Sequence, residues 1–177
     1  GQGGLKEPED VIAANNSGTT ARLLTGLLSA QPFFSVITGD ASLRKRPMRR
    51  VVDPLRMMGA NITGRNDGGF LPFAINGGKL TGRKYIMPIA SAQVKSAILI
   101  AGLYAEGETI VEEPAKSRDH TERMLKAFGA DIQVDGLRVS ITSKKRLNGC
   151  TIYVPSDISS AAFFMVGAMI IPESDIL

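Results

Sequence analysis

Residues 17–30 read SGTTARLLTGLLSA, and two later stretches follow the same design: SAQVKSAILIAGLYA at 91–105 and SSAAFFMVGAMII at 159–171. Each opens on serine and small residues, then turns apolar at the i, i+3, i+4 spacing of a helix. The starts lie 74 and 68 residues apart. A second helix type recurs as well. RPMRRVVDPLRMMGANI (46–62) ends in Gly59-Ala60-Asn61-Ile62, and SRDHTERMLKAFGADI (117–132) ends in Gly129-Ala130-Asp131-Ile132, 70 residues further on. In both, the glycine falls just past the helical pattern, where a C-terminal cap belongs. A period near 70 is far longer than a solenoid repeat, so each copy is a small folding unit and not one turn of a spiral.

The stretches between the helices supply strands. FFSVITGD (33–40) reads as one, and NITGR (61–65) and LPFAINGG (71–78) as two more, with Asn66-Asp67-Gly68-Gly69 as the turn between them. The second copy begins at RKYIMPIA (83–90) and continues through ETIVEEP (108–114), DIQVDG (131–136) and RVSITS (138–143). The unit is therefore β-α-β-α-β-β, and the fold class is α/β (α+β). The first unit spans 1–80, with its first strand poorly defined, and the second spans 81–148. A further unit starts within 149–177, with TIYVPSD (151–157) as its strand, and is cut off within or just after its first helix. The opening on glycines and the stop at SDIL, directly after an apolar run, predict a piece of a longer protein.

At 177 residues, 44% hydrophobic and 21% charged, the chain has a globular composition and enough length to bury a core. A formal charge of +4 suits acidic small molecules and nucleic acid alike. The one cysteine, Cys150, excludes an intrachain disulfide, and the one histidine, His120, argues against a zinc site. No apolar run is long enough to cross a membrane, and GQGGLKEPED is no signal sequence. These features predict a soluble protein of a reducing compartment, the cytoplasm.

The helix starts carry the chemistry. The first turn of a helix has unpaired N–H groups at the positive end of its dipole. In NNSGTTARLL, small residues leave that end open, and Arg22, one turn in, can lean back over it. Two readings stand side by side: an anion site, or an ordinary cap by Asn16 or Ser17 with Arg22 exposed. In LRKRPMRR (43–50), Pro47 reads as the first helical residue and Arg46 as an extended residue held at the helix entrance, fit for two-point recognition of a carboxylate or phosphate. Arg44, Lys45, Arg49 and Arg50 read as a solvated face, without the aromatic residues that stack nucleic-acid bases. Ser91 and Gln93 offer a hydroxyl and an amide at the third helix start, with Lys95 on the surface. Ser117 and Arg118 stand at the fourth, where His120 reads as a capping or packing residue. If like units pack side by side, these starts gather into one positive, donor-rich face.

Taken together, NSGTTARLL, LRKRPM, SAQVKSA, SRDHTERML and DISSAAFF, in this order and spacing, resemble the 5-enolpyruvylshikimate-3-phosphate synthases, a family of enolpyruvyl transferases. The resemblance runs from about Gly3 to Ile171. It implies two domains, each of three βαβαββ units with helices packed inside small sheets in an inverse α/β barrel-like arrangement, and a cleft between them. It also implies transfer of the enolpyruvyl group of phosphoenolpyruvate to the 5-hydroxyl of shikimate 3-phosphate, without metal or cofactor. By the resemblance, Gly18, Arg46 and Gln93 contact phosphoenolpyruvate, and Asn16, Thr19 and Arg22 shape that loop. Ser91, Ala92, Gln93, Ser117 and Arg118 hold shikimate 3-phosphate. The family's acid–base residues fall outside this chain, so no catalytic residue is assigned and the chain alone is expected to be inactive. Two departures stand out: Asn15 replaces a usual glycine, and Ala92 lacks a hydroxyl that some members carry.

Alternatives are the sister enzyme acting on UDP-N-acetylglucosamine, whose clamp-loop cysteine Cys150 does not match in position, and a non-catalytic anion- or RNA-binding module. The synthase reading implies small-molecule partners, no nucleic acid and no membrane, with a monomeric complete enzyme. Exposed apolar surface around Phe163 and Phe164 predicts self-association of the chain on its own.

Overall fold

A computed structural model describes residues 4–143, 147–154 and 157–175. Two four-stranded sheets share one topology. The first contains β1 (Ile12–Ala13), β2 (Phe34–Thr38), β3 (Asn61–Gly64) and β4 (Phe73–Asn76), in the order β1-β2-β4-β3. The second contains β5 (Lys84–Ile86), β6 (Glu108–Glu112), β7 (Asp131–Asp135) and β8 (Arg138–Thr142), in the order β5-β6-β8-β7. In each, the first pair is parallel and the other two are antiparallel. β1 is only two residues long, with Ile12 opposite Ile37, too short to show a period in the sequence.

The helices α1 (Gly18–Ser29), α2 (Arg49–Met57), α4 (Ala92–Gly102) and α5 (His120–Ala127) connect these strands, with a 3-10 turn η1 (Leu43–Lys45) before α2 and a one-turn segment α3 (Arg65–Gly68) between β3 and β4. In α3, Asn66 (φ 48°), Asp67 (φ 53°) and Gly68 (φ 72°) are all left-handed, so the segment is the expected turn and not a true helix. α1 packs on α4, β2 and β4, while α4 packs on β6 and β8. The two helices therefore form the inside and the sheets the flanks. α4 buries eight of its 11 residues, as an element apolar on every side must. Its crossing with α1 is close: a Cβ built on Gly26 would sit 2.2 Å from the Ala97 carbonyl oxygen.

Both expected glycine caps form. Gly59 (φ 105°) and Gly129 (φ 76°) are left-handed, and the following amides, Ala60 and Ala130, reach back to Leu55 O at 3.0 Å and Leu125 O at 2.9 Å.

Three expectations are corrected. Arg46 is extended (φ −82°, ψ 134°), but α2 begins two residues after Pro47, because Met48 accepts the first helical bonds, from Val51 and Val52, while donating to Gly69 O. Lys95 is not a surface residue: it is 2% exposed, since α4 has no solvent face at that level. TIYVPSD forms no strand over 151–154, where no partner strand lies alongside among the described residues; Pro155 and Ser156 of that stretch lie outside them. The helix that follows, α6 (Ile158–Ile170), is capped by Asp157 and buries none of its 13 residues, leaving Phe163 82% and Phe164 71% exposed.

Candidate functional site

Ser17 caps α1 in the ordinary way, its hydroxyl oxygen accepting from Thr20 N at 3.1 Å. The loop before it is held by Asn15 in the left-handed region (φ 47°), a conformation asparagine accepts in place of glycine. Asn16 faces both ways. Its amide nitrogen donates to Asp40 at 2.7 Å, and its carbonyl oxygen accepts from Arg46 Nη2 at 2.9 Å. Asp40 also accepts from Leu43 N at 2.7 Å. That amide bond, with the Asn16 bond next, holds the Asp40 carboxyl below the usual carboxylate range despite full exposure. Asp40 and Asn16 thus fix Arg46 in an extended pose over the start of α1.

Gly18 is the point of convergence. A Cβ there would lie 2.7 Å from Arg22 Nη1 and 3.5 Å from Arg46 Nη1, so two guanidinium groups crowd the space above the first turn. Burial lowers the Arg22 pKa, and the like charges of Arg46 and Arg50 lower it further. Among the described residues, neither Arg22 nor Arg46 pairs with a carboxylate. Unpaired cations over a helix N-terminus oppose the dipole and one another, a conflict that an oxyanion resolves.

The second unit joins at this point. Gln93, in the first turn of α4, donates to Thr19 Oγ1 at 2.7 Å and accepts from Arg22 Nη1 at 2.7 Å. The starts of α1 and α4 therefore lie together, bridged by one amide side chain. Ser91 is the N-cap of α4, its hydroxyl oxygen accepting a long bond from Val94 N at 3.5 Å, and Ala92 is the half-buried first helical residue. Ser117, in the loop before α5, donates its hydroxyl to Glu113, which pairs with Lys95 one turn into α4 at 2.6 Å. Arg118 is exposed, and among the described residues no hydrogen bond or ion pair ties it to the cluster. His120 is the exposed first residue of α5, after the cap Asp119. Of the residues set aside as a solvated face, Arg49 instead braces the α3 turn through Asn66 O at 2.9 Å.

Sequence reasoning missed Asp40, Glu113 and Glu122. The signal for the last two was Lys95 itself: a lysine inside the run VKSAILIAG has no polar face to occupy and so demands buried carboxylates. Chemically, the arrangement can hold two oxyanions side by side, one over each helix start, with Gln93 between them.

A repeat of two βαβαββ units with helices inside their sheets, bringing cationic and hydroxyl-bearing helix starts together, defines the enolpyruvyl transferase fold. Two structures of EPSP synthase from Acinetobacter baumannii superpose with a TM-score of 0.86 at 59% identity, one of them over 93% of this chain and 37% of its own. More narrowly, the chain belongs to the family described as EPSP synthase (3-phosphoshikimate 1-carboxyvinyltransferase), whose model matches residues 1–177. Curated relatives bearing the name 3-phosphoshikimate 1-carboxyvinyltransferase include that of Geobacillus thermodenitrificans, 58% identical over 99% of this chain and 41% of its own length, and that of Desulforamulus reducens, 60% identical over 98% of this chain and 40% of its own. The chain thus spans about two fifths of the length of these relatives.

Proposed function

We propose that this chain supplies one wall of a substrate cleft for transfer of the enolpyruvyl group from phosphoenolpyruvate to the 5-hydroxyl of shikimate 3-phosphate. In that reading, Arg22, Arg46 and the Gly18 end of α1 clamp phosphoenolpyruvate, with Asn16 and Thr19 shaping the loop. The start of α4 (Ser91, Ala92) and the Ser117–Arg118 loop hold shikimate 3-phosphate, and Gln93 touches both. The hydroxyl oxygen gives up its proton and bonds to C2 of the enolpyruvyl group while C3 takes up a proton; C3 then loses a proton as the bond from C2 to the phosphate oxygen breaks, which re-forms the double bond and releases phosphate. The chain's part is to bring two anions together and neutralise their repulsion, which converts an encounter of like charges into a positioned pair.

The observation that carries this reading is the convergence on Gly18 of two guanidinium groups that, among the described residues, form no ion pair, bridged through Gln93 to the next helix start. A cytoplasmic location fits the same reading, since Cys150 is a free, exposed thiol. The test replaces the matching 176 residues of the Geobacillus thermodenitrificans relative with this chain and follows release of phosphate from phosphoenolpyruvate in the presence of shikimate 3-phosphate. Turnover within tenfold of that relative supports the reading. A folded chimera that binds UDP-N-acetylglucosamine or RNA and releases no phosphate contradicts it.

A further inference from the structure

A buried cluster behind the second anion position is used by nothing described so far. Lys95 Nζ lies 2.6 Å from Glu113 Oε2 and 2.5 Å from Glu122 Oε1, with side-chain exposures of 2%, 3% and 7%. The Glu122 contact is close, but Oε1 lacks an aligned hydrogen bond, so charge rather than bond geometry holds that pair. Burial pulls the Lys95 pKa down, but the close contacts and charges of the two glutamates outweigh it and raise it, so the lysine stays charged. Two carboxyl groups share one ammonium.

The second oxygen of Glu113 is also occupied: Ser117 Oγ donates to Glu113 Oε1. A serine hydroxyl has one proton. While that proton points at Glu113, Ser117 turns only lone pairs outward, and lone pairs repel a phosphoryl oxygen. Ser117 therefore cannot donate to a phosphate and to Glu113 at once. Lys95 makes the exchange possible, because an ammonium on Oε2 weakens Glu113 as an acceptor and continues to satisfy it once Ser117 turns away. The pairing of Ser96 with Thr121 at 2.6 Å fastens α5 to α4 on the same seam, so the loop between them can change this one bond without changing its frame.

We propose that Glu113, held by Lys95, is a positioning residue for phosphoryl binding: it keeps the Ser117 hydroxyl proton in the free chain and yields it to the incoming phosphoryl group. This rests on the reading of Ser117 as a ligand of shikimate 3-phosphate. No covalent bond changes; one hydrogen bond is exchanged for another.

The variants are Glu113→Gln, Ser117→Ala and the double substitution, with Glu122→Gln as control. Glu113→Gln leaves Lys95 with one carboxylate, a neutral pair, and so keeps the fold; a melting curve checks this. In the free chain, amide exchange at residues 115–118 should rise about tenfold in Ser117→Ala and not in Glu122→Gln, because the Ser117 hydroxyl bonds to Glu113 and not to Glu122. In binding, with shikimate 3-phosphate and inorganic phosphate as probes, Glu113→Gln should tighten the dissociation constant severalfold when Ser117 is present. It should do so clearly less when residue 117 is alanine. A merely electrostatic role for Glu113 gives the same gain in both backgrounds, and a purely structural role weakens binding in both; either result overturns the proposal. Unchanged exchange at 115–118 overturns it as well. If the unsubstituted chain binds neither probe, the functional reading and the exchange of the proton fall together, while the free-chain comparison still decides whether Glu113 holds the loop.

Discussion

Gly18 shows how one missing methyl group can serve a site. Its backbone lies outside the left-handed region, so alanine fits the chain there, and the atom a new Cβ would meet is the far end of Arg22, which can swing away. Alanine is the better helix former by about 1 kcal/mol. Folding stability of Gly18→Ala should therefore be unchanged or raised by up to that amount, as read from urea midpoints. Binding should move the other way, because the displaced guanidinium leaves Gln93 Oε1 and the methyl occupies the anion's place. A severalfold weaker dissociation constant for phosphoenolpyruvate is expected; lower stability with unchanged binding would mean that the glycine serves the backbone alone. At this scale the sequence was informative where a residue broke a local rule. A cation near a helix N-terminus and an arginine pinned before proline both pointed to the two guanidinium groups that the structure brings together over Gly18. Lys95 broke a rule too, but its partners lie 18 and 27 positions away, beyond the reach of any local pattern.

At the scale of elements, the crossing of α1 and α4 joins the two units. Gly26 makes it possible: a methyl there would lie 2.2 Å from the Ala97 oxygen and 2.8 Å from its carbonyl carbon, both backbone atoms of a buried helix that cannot turn aside. Gly26→Ala should lower stability by about 1–3 kcal/mol in spite of alanine's helix propensity. Gly78→Ala, where nothing lies within 4 Å, should change it by less than about 0.5 kcal/mol. Equal effects, measured from denaturant midpoints with unchanged slope, would show that the helices do not meet as closely as described. The strands from β2 to β8 and both glycine-capped helix ends were legible because periodicity and cap chemistry are local. The start of α2 was not, because Met48 is fixed by a bond to Gly69 O across the unit. The strand expected over 151–157 does not form over 151–154 for a similar reason: strand character needs an edge to pair with, and pattern alone supplies none.

For the whole molecule, the repeat has a functional consequence. Two units of one topology, packed helix against helix, put the starts of α1 and α4 side by side, and the 74-residue spacing of Ser17 and Ser91 already contained that pairing. The exposed apolar face of α6 follows from no such pairing; none of its residues is buried. The central claim is that the paired helix starts form one cradle for two anions. The direct measurement is an amide NMR titration of the chain with shikimate 3-phosphate and then phosphoenolpyruvate, repeated with Arg46→Ala and with Arg44→Ala, a neighbour outside the site. The account predicts saturable shifts at residues 91–94 and 117–118 with the first ligand and at 16–20 with the second, the latter lost in Arg46→Ala and kept in Arg44→Ala. Shifts confined to the basic stretch 43–50, weakened alike by the two substitutions, would show a diffuse cationic surface and contradict the cradle.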